Sequence, residues 1–274
     1  MISPIVDIHD VKSVTIHPQL WTAVVPAAGR GSRLASPLPK ILYPILGRPI
    51  LDWLLDSLGQ VCSRFVFVLS PDNRSQVEPV LQERLGDACE VVIQETPTGM
   101  GDAVLLTRSV VKTPYTVVVW GDQVTLRQET LLACATLHEQ RPHATLTLPS
   151  IVKENPYIHL QRDEQGRIQA VLQAREKEIK TATGENDCGL FLLTSAILYP
   201  TLERFRHSGA GLGNETREFN LLQSLPWFET GPGCVTTLRI HEVLDTLGVN
   251  TLDDVRTVEA ELARRQAARQ TASC

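Results

Sequence analysis

The sequence predicts an α/β fold: an open, mostly parallel sheet with helices on both faces and a small β-hairpin beside it. Three observations carry that expectation. Short runs of Val, Ile and Phe alternate with helix-length segments through the first half of the 274 residues. The centres of these runs are continuously apolar rather than alternating with polar residues, as expected of strands covered on both faces. In the second half the spacing changes to two short strands around a tight turn, a hairpin signature read as a lid beside the main sheet.

Taken in order, the candidate strands of the first half are residues 22–26 (TAVVP), 64–69 (RFVFVL), 90–94 (EVVIQ) and 115–120 (YTVVVW). Between them, residues 49–59, 75–86, 100–111 and 126–141 have helical length and apolar spacing. Pro49 suits a first helical turn, where its missing N–H costs nothing. Alternation of this kind is the pattern of a Rossmann-like, doubly wound sheet. Residues 144–152 read as a further strand, and 157–162 with 167–172 as a hairpin lid around Asp163-Glu164-Gln165-Gly166. Residues 207–215 (HSGAGLGNE) are expected to form a mobile glycine-rich loop, and 251–269 a charged final helix. The division that follows is an extension at 1–21, one domain at 22–269 with a lobe at about 150–235, and a frayed tail at 270–274.

Composition narrows the classes. Hydrophobic residues make up 43% of the chain and aromatics only 5%, so the core is expected to be mostly Val, Leu, Ile and Ala. A formal charge of −5 argues against a nucleic-acid or acidic-membrane surface, while leaving local phosphate binding open. Cys62, Cys89, Cys134, Cys188, Cys234 and Cys274 form no CxxC pair, which speaks for scattered free thiols. Residues 1–20 lack an apolar run of signal length, and no stretch of eighteen apolar residues occurs. A cytoplasmic location is therefore expected, without membrane or nucleic-acid partners.

The most informative stretch is residues 24–40, VVPAAGRGSRLASPLPK, directly after the first strand. Ala27, Ala28, Gly29 and Gly31 remove bulk where a backbone must approach a ligand, and successive amides in such a turn form an anion-binding hollow. Arg33 and Lys40 add two cations at its edge, one able to grip phosphate through two bonds and the other a point charge. Neither GxGxxG nor GxxxxGK[ST] is present, so this is neither a dinucleotide fingerprint nor a P-loop. Read alone, the stretch is equally a tight turn with two surface cations. Three later features accompany it: Gln94 with Thr98-Gly99-Met100-Gly101-Asp102-Ala103, Trp120-Gly121-Asp122 at a strand end, and Gly248-Val249-Asn250. Asp122 alone reads as a turn-forming Asp, and Asn250 as a helix N-cap before Thr251-Leu252-Asp253-Asp254.

In this order and spacing the motifs resemble the nucleoside-triphosphate transferases that make nucleotide sugars. Within that family they are most similar to the bacterial uridylyltransferase domain that acts on N-acetylglucosamine 1-phosphate, over residues 22–254 or so. The resemblance implies an NTP, UTP favoured, and a phosphorylated small-molecule acceptor, with Mg²⁺ as cofactor and pyrophosphate released. It implies that residues 27–33 wrap the triphosphate, that Arg33 neutralises the leaving pyrophosphate and that Lys40 reaches both phosphate groups. Gln94, Thr98 and Gly99 are implied as the base-reading segment, and Asp122 and Asn250 as protein ligands of the metal. Positioning and charge neutralisation should carry the rate, because a phosphate nucleophile is already ionised at neutral pH.

The acceptor side departs from that relative. Tyr157-Ile158-His159 stands where it has YGR, Gln173 where it has a sugar-binding Glu, and Asp187-Cys188-Gly189 where it has Asn-Thr-Gly. Glu218-Phe219-Asn220-Leu221-Leu222 replaces an EYYLT-like segment. Tyr157, Gln173, Asp187 and Glu218 are thus the expected acceptor-binding residues, N-acetylglucosamine 1-phosphate is expected to be a poor acceptor, and no β-helix acetyltransferase domain is expected. Gln94 does not fix the base, since an amide presents both donor and acceptor. A cytidylyl- or guanylyltransferase acting on a phosphonate, alditol phosphate or cyclitol phosphate therefore stays open, as does a non-catalytic nucleotide sensor on the same fold.

Overall fold

The computed structural model describes residues 4–12, 14–29, 32–34, 36–231 and 233–272. Its centre is a nine-stranded sheet. Strands β2 (Trp21–Pro26), β5 (Arg64–Leu69), β6 (Cys89–Ile93) and β7 (Tyr115–Val119) run parallel in the order β7-β2-β5-β6. Beyond β7 come β12 (Leu190–Thr194), β8 (Leu146–Glu154), β13 (Val235–Arg239) and β1 (Ile5–Asp7). Of this row only β12 is antiparallel, to β7 and β8 alike, so the other strands of these two rows point their C-terminal ends to the same rim. That rim is where open α/β sheets bind ligands.

The apolar runs form strands because both sheet faces are covered. In β2, Ala23 and Val25 join one core cluster and Val24 the other; in β7, Val117 and Val119 part from Val118 in the same way. The first cluster receives α1 (Ile50–Leu58), α2 (Pro71–Leu85), α4 (Gln128–Gln140) and α6 (Leu252–Ala272). The second receives α3 (Met100–Leu106), α5 (Ser195–His207) and the hairpin of β9 (Ile158–Arg162) and β10 (Ile168–Gln173). The expected hairpin is present, and it packs Ile158, Leu160, Ile168 and Val171 into that second core. A two-strand ladder of β3 (Pro44–Ile45) and β4 (Arg48–Pro49) leads into α1.

Boundaries differ from expectation where local chemistry decides them. Helix α2 begins at Pro71, not residue 75, because Ser70 and Asn73 form a reciprocal capping box (3.3 and 3.0 Å). Helix α3 stops at Leu106 and tightens into a 3₁₀ turn over Thr107–Ser109. Helix α6 continues to Ala272, past the expected end at 269. The segment set apart as an extension supplies β1, whose Ile5–Asp7 pair with Thr237, Leu238 and Arg239 of β13. The glycine-rich segment folds back on itself, with Gly213 N–H donating to the Glu218 carbonyl at 2.9 Å.

One irregularity shapes the site. Strand β11 (Thr183–Asp187) pairs antiparallel with the far half of β8 and ends at Asp187↔Ser150. The chain then crosses Cys188 and Gly189 and resumes as β12 against β7 at Leu190↔Val119. Asp187 therefore sits at a break in the sheet, next to the end of β7.

Candidate functional site

The glycine-rich turn is held to the sheet by its own backbone. Ala27 N–H donates to the Val68 carbonyl (2.8 Å), and the Asn73 side-chain amide donates to the Ala27 carbonyl (2.7 Å). Nothing described lies within 4 Å of where a Cβ on Gly29 would stand. Gly29 is not in the left-handed region, so it contributes open space rather than an unusual conformation. Gly31 lies outside the described residues.

Two cations from the segment after that turn converge on the end of β7. Lys40 Nζ stands 2.5 Å from Asp122 Oδ2 and 2.9 Å from Asn250 Oδ1. Arg33 Nη2 donates to the same Asn250 oxygen at 2.9 Å. Gly248 makes the approach possible: a Cβ there would lie 2.9 Å from the Asp122 carboxylate carbon and from Oδ1. The Val249 N–H donates to the Asp122 carbonyl at 3.1 Å, fixing the loop before α6 onto the loop after β7. The N-cap role proposed for Asn250 falls instead to Thr251, whose Oγ1 accepts from Asp254 N–H (3.2 Å) while Asp254 accepts from the Asn250 and Thr251 amides (2.9 and 2.8 Å). The Asn250 side chain is left to the site.

Asp122 Oδ1 is buried and has no hydrogen-bond partner among the described residues. Together with Asn250 Oδ1 it offers hard oxygen ligands at the mouth of a cavity. That donor set fits Mg²⁺, which takes few protein ligands and keeps several waters.

A cavity of about 620 Å³ joins these groups to the other candidates. Ala27, Ala28, Gly29, Arg33, Lys40 and Gln94 line it at one end, with Gly99, Asp122 and Asn250. Tyr157, Gln173, Asp187 and Glu218 line the other. Thr98 is the described candidate that does not; its hydroxyl donates to the Thr96 carbonyl (3.4 Å) instead. Gln94 is buried and donates through Nε2 to the Gly99 carbonyl (3.0 Å). Gly99 has φ +119°, and a Cβ there would meet the Phe219 carbonyl oxygen at 2.4 Å. The base-reading segment and the acceptor segment touch directly, since Phe219 N–H donates to the Thr98 carbonyl and Gly101 N–H to that of Phe219 (2.8 and 2.9 Å).

At the acceptor end, Glu218 pairs with Arg175 at 3.2 Å. Tyr157 and Ile158 amides both donate to Asn186 Oδ1 (2.9 and 3.0 Å). Burial pushes the Asp187 carboxyl up to about 6. It also holds the half-buried Lys153 amine below the usual lysine value. Lys153, Arg175, Gln123 and Asn220 line the cavity without having been singled out in the sequence. Lys153 carried a weak signal as the one cation in the apolar run ahead of Pro156, Asn220 stood only as part of the replaced 218–222 segment, and Gln123 carried none. His138 is a core residue, bonded to Thr147 and Thr194 (3.0 and 3.2 Å), and burial pushes it down to about 3.

Comparison with known proteins gives the following. A family model described as a MobA-like NTP transferase domain matches residues 23–211. The bifunctional protein GlmU of an Exiguobacterium species is 28% identical over 249 residues, covering 89% of this chain and 52% of the relative. GlmU of Alkaliphilus metalliredigens is 26% identical over 251 residues, with the same shares covered. The chain thus spans about half the length of the curated relatives it matches. Among solved structures, a UDP-glucose pyrophosphorylase complexed with UDP-glucose superimposes with a TM-score of 0.66 at 14% identity, covering 90% of this chain and 99% of that one. A Bacillus anthracis protein assigned as a glucose-1-phosphate thymidylyltransferase gives 0.66 at 16% identity, covering 88% and 94%. At these identities the structural likeness concerns the fold. No described helix is long and apolar enough to cross a membrane.

Proposed function

This chain belongs to the MobA-like NTP transferase family, and we propose that it transfers the nucleoside monophosphate of an NTP, UTP favoured, to a sugar 1-phosphate or similar phosphorylated small molecule. Pyrophosphate is the second product. The observation that carries this reading is the cluster at the rim of one cavity in which Lys40 bonds both Asp122 and Asn250 and Arg33 bonds Asn250. A transfer between two phosphates brings like charges together, so the site's task is to neutralise and align them.

In this reading Ala27, Ala28 and Gly29 seat the triphosphate, Arg33 bears on the leaving pyrophosphate, and Lys40 spans the reacting phosphates. Gln94 and the Gly99 backbone face the base. Asp122 and Asn250 hold Mg²⁺, which when bound supplies positive charge and a template for phosphate oxygens. The acceptor phosphate needs no general base, because it is ionised before it attacks. Tyr157, Gln173, Asp187 and Glu218 surround the rest of the acceptor.

The test is a matrix of four NTPs against a panel of sugar, polyol and amine phosphates, read by pyrophosphate release. Release that depends on both an NTP and one acceptor class is the expected result. Nucleotide binding without release on any acceptor would overturn the transferase assignment, and work with CTP or GTP but not UTP would move the base preference.

A further inference from the structure

The acceptor end of the cavity holds three buried polar side chains with bare atoms. Asp187 is 3% exposed, and its Oδ1 accepts from Gly189 N–H at 2.6 Å while Oδ2 has no partner among the described residues. No cation among the described residues lies within ion-pair distance of it; Lys153 directs its amine to Thr246 Oγ1 at 3.2 Å. Gln123 Oε1 is likewise bare, and its amide also borders Gly189, where Nε2 would lie 2.8 Å from a Cβ. Gln173 is the opposite case. Its Oε1 is taken by Arg175 Nε and Asn220 Nδ2 (3.2 and 2.9 Å), which fixes the amide so that its bare Nε2 donates. The aromatic rings of Trp120 and Tyr157 line the same end.

Resting on the transferase reading above, we propose that the acceptor carries a free protonated amine that docks on Asp187. Lys153 acts on Asp187 only at longer range, and a buried carboxylate without a direct ion-pair partner is costly unless the ligand brings one. An ammonium brings three N–H donors where a hydroxyl brings one, and it brings a positive charge to the bare Asp187 oxygen. An aromatic wall adds attraction for a cation. The Gln173 amide then meets an oxygen of the same molecule, a hydroxyl or a phosphate oxygen. Lys153, between Asp187 and the loop that carries Asn250, faces the acceptor's anionic end. An acetamide would leave the Asp187 charge unmatched.

The experiment compares matched acceptors differing only at the amine. One set is glucosamine 1-phosphate, glucose 1-phosphate and N-acetylglucosamine 1-phosphate; the other is 2-aminoethylphosphonate and 2-hydroxyethylphosphonate. Wild type and Asp187→Asn are assayed for kcat/KM by pyrophosphate release, and for binding by calorimetry on protein loaded with a non-hydrolysable NTP analogue. Loss of one partner of a buried charged pair predicts an amine preference of about 100-fold in at least one set, collapsing to less than about fivefold in Asp187→Asn with the KM for NTP unchanged. Hydroxyl or acetamide members used as well as the amine, or an amine preference that survives Asp187→Asn, would overturn the proposal. Amine-selective binding without turnover on any acceptor keeps the amine site and removes the transferase reading. Turnover confined to hydroxyl acceptors does the reverse, and neither selective binding nor turnover removes both.

Discussion

Replacing Lys40 by Met separates catalysis from folding at this site. The amine is 2.5 Å from an Asp122 oxygen, and both side chains are mostly shielded, at 19% and 16% exposure. At an effective dielectric of 20 the gross attraction at that distance is about 7 kcal/mol. Desolvation of both ions offsets most of it, leaving roughly 1–2 kcal/mol of net stability. For a chain of this size that is a melting shift of roughly 2–4 °C. The expected catalytic loss is larger. Removing one fixed charge aimed at developing phosphate charge typically costs about 10²–10³-fold in kcat. Lys40→Arg keeps the charge but replaces a point with a plane, so it should recover only part of the rate. Thermal denaturation and pyrophosphate release on the same preparations decide the matter. A Lys40→Met protein within fivefold of wild-type kcat/KM would remove Lys40 from the reaction, whatever its melting temperature.

Four further outcomes are expected. Gly248→Ala places a methyl 2.9 Å from the Asp122 carboxylate, so turnover should fall at least about tenfold for a stability loss of about 1–3 kcal/mol, the typical overpacking cost; normal kinetics would show that this carboxylate tolerates displacement. Asp187 has a folded pKa near 6 against 3.8, so the native state keeps this proton to higher pH than the unfolded chain, and stability is lost as pH rises from about 4 through 6. Asp187→Asn should therefore stabilise the ligand-free protein by up to about 3 kcal/mol at pH 8 and little at pH 4, with an equal gain at both pH values in urea titrations refuting burial as the cause. Arg265 bonds to the Thr125 carbonyl at 2.6 Å and to Asp245 and Glu261 at 3.1 and 2.6 Å, so Arg265→Met should cost roughly 2–4 kcal/mol by urea denaturation, and a change under 1 kcal/mol would mean that Arg127 suffices for Asp245. Removing divalent ions with a chelator should stop turnover and added Mg²⁺ restore it; turnover that survives dialysis against chelator would take Asp122 and Asn250 out of a metal role.

The first half of the fold was legible because its strands are covered on both faces, and continuous runs such as RFVFVL have few other uses. The second half was less so. Strand β11, TGEND, is polar because it carries Asn186 and Asp187 into the cavity, and β13, VTTLR, has too few large apolar residues to stand out. Strand β1 was missed for a different reason: three residues make a strand only when β13 is there to pair with, and no local pattern encodes that partner. The same holds at the site. Lys40 and Asp122 stood out through motif spacing, but the role of Gly248 beneath the Asp122 carboxylate, and the fixing of the Gln173 amide by Arg175 and Asn220, depend on contacts between distant segments. Asn250 looked like a helix cap because a cap does occur there, one residue later at Thr251.

The electrostatics of the ligand-free site follow from that convergence. Asp122 is brought to the rim by β7, Asn250 by the loop before α6, and Lys40 and Arg33 by the segment after β2. Because β7 and β2 are parallel neighbours, all three arrive at one end of the sheet. There the cations meet one oxygen of Asp122 and the amide oxygen of Asn250. In the proposed reading a divalent ion would use the bare Asp122 Oδ1 and the Asn250 oxygen, so Lys40 and the ion would share the Asp122 carboxylate and compete for Asn250 Oδ1 until a triphosphate drew the amine away. Nucleotide and metal should then bind more tightly together than either does alone, since each relieves the site of a conflict that the other creates. Asp187 presents a related case at the other end of the cavity: a buried carboxyl with one oxygen unpartnered among the described residues, which the proposed acceptor amine would meet.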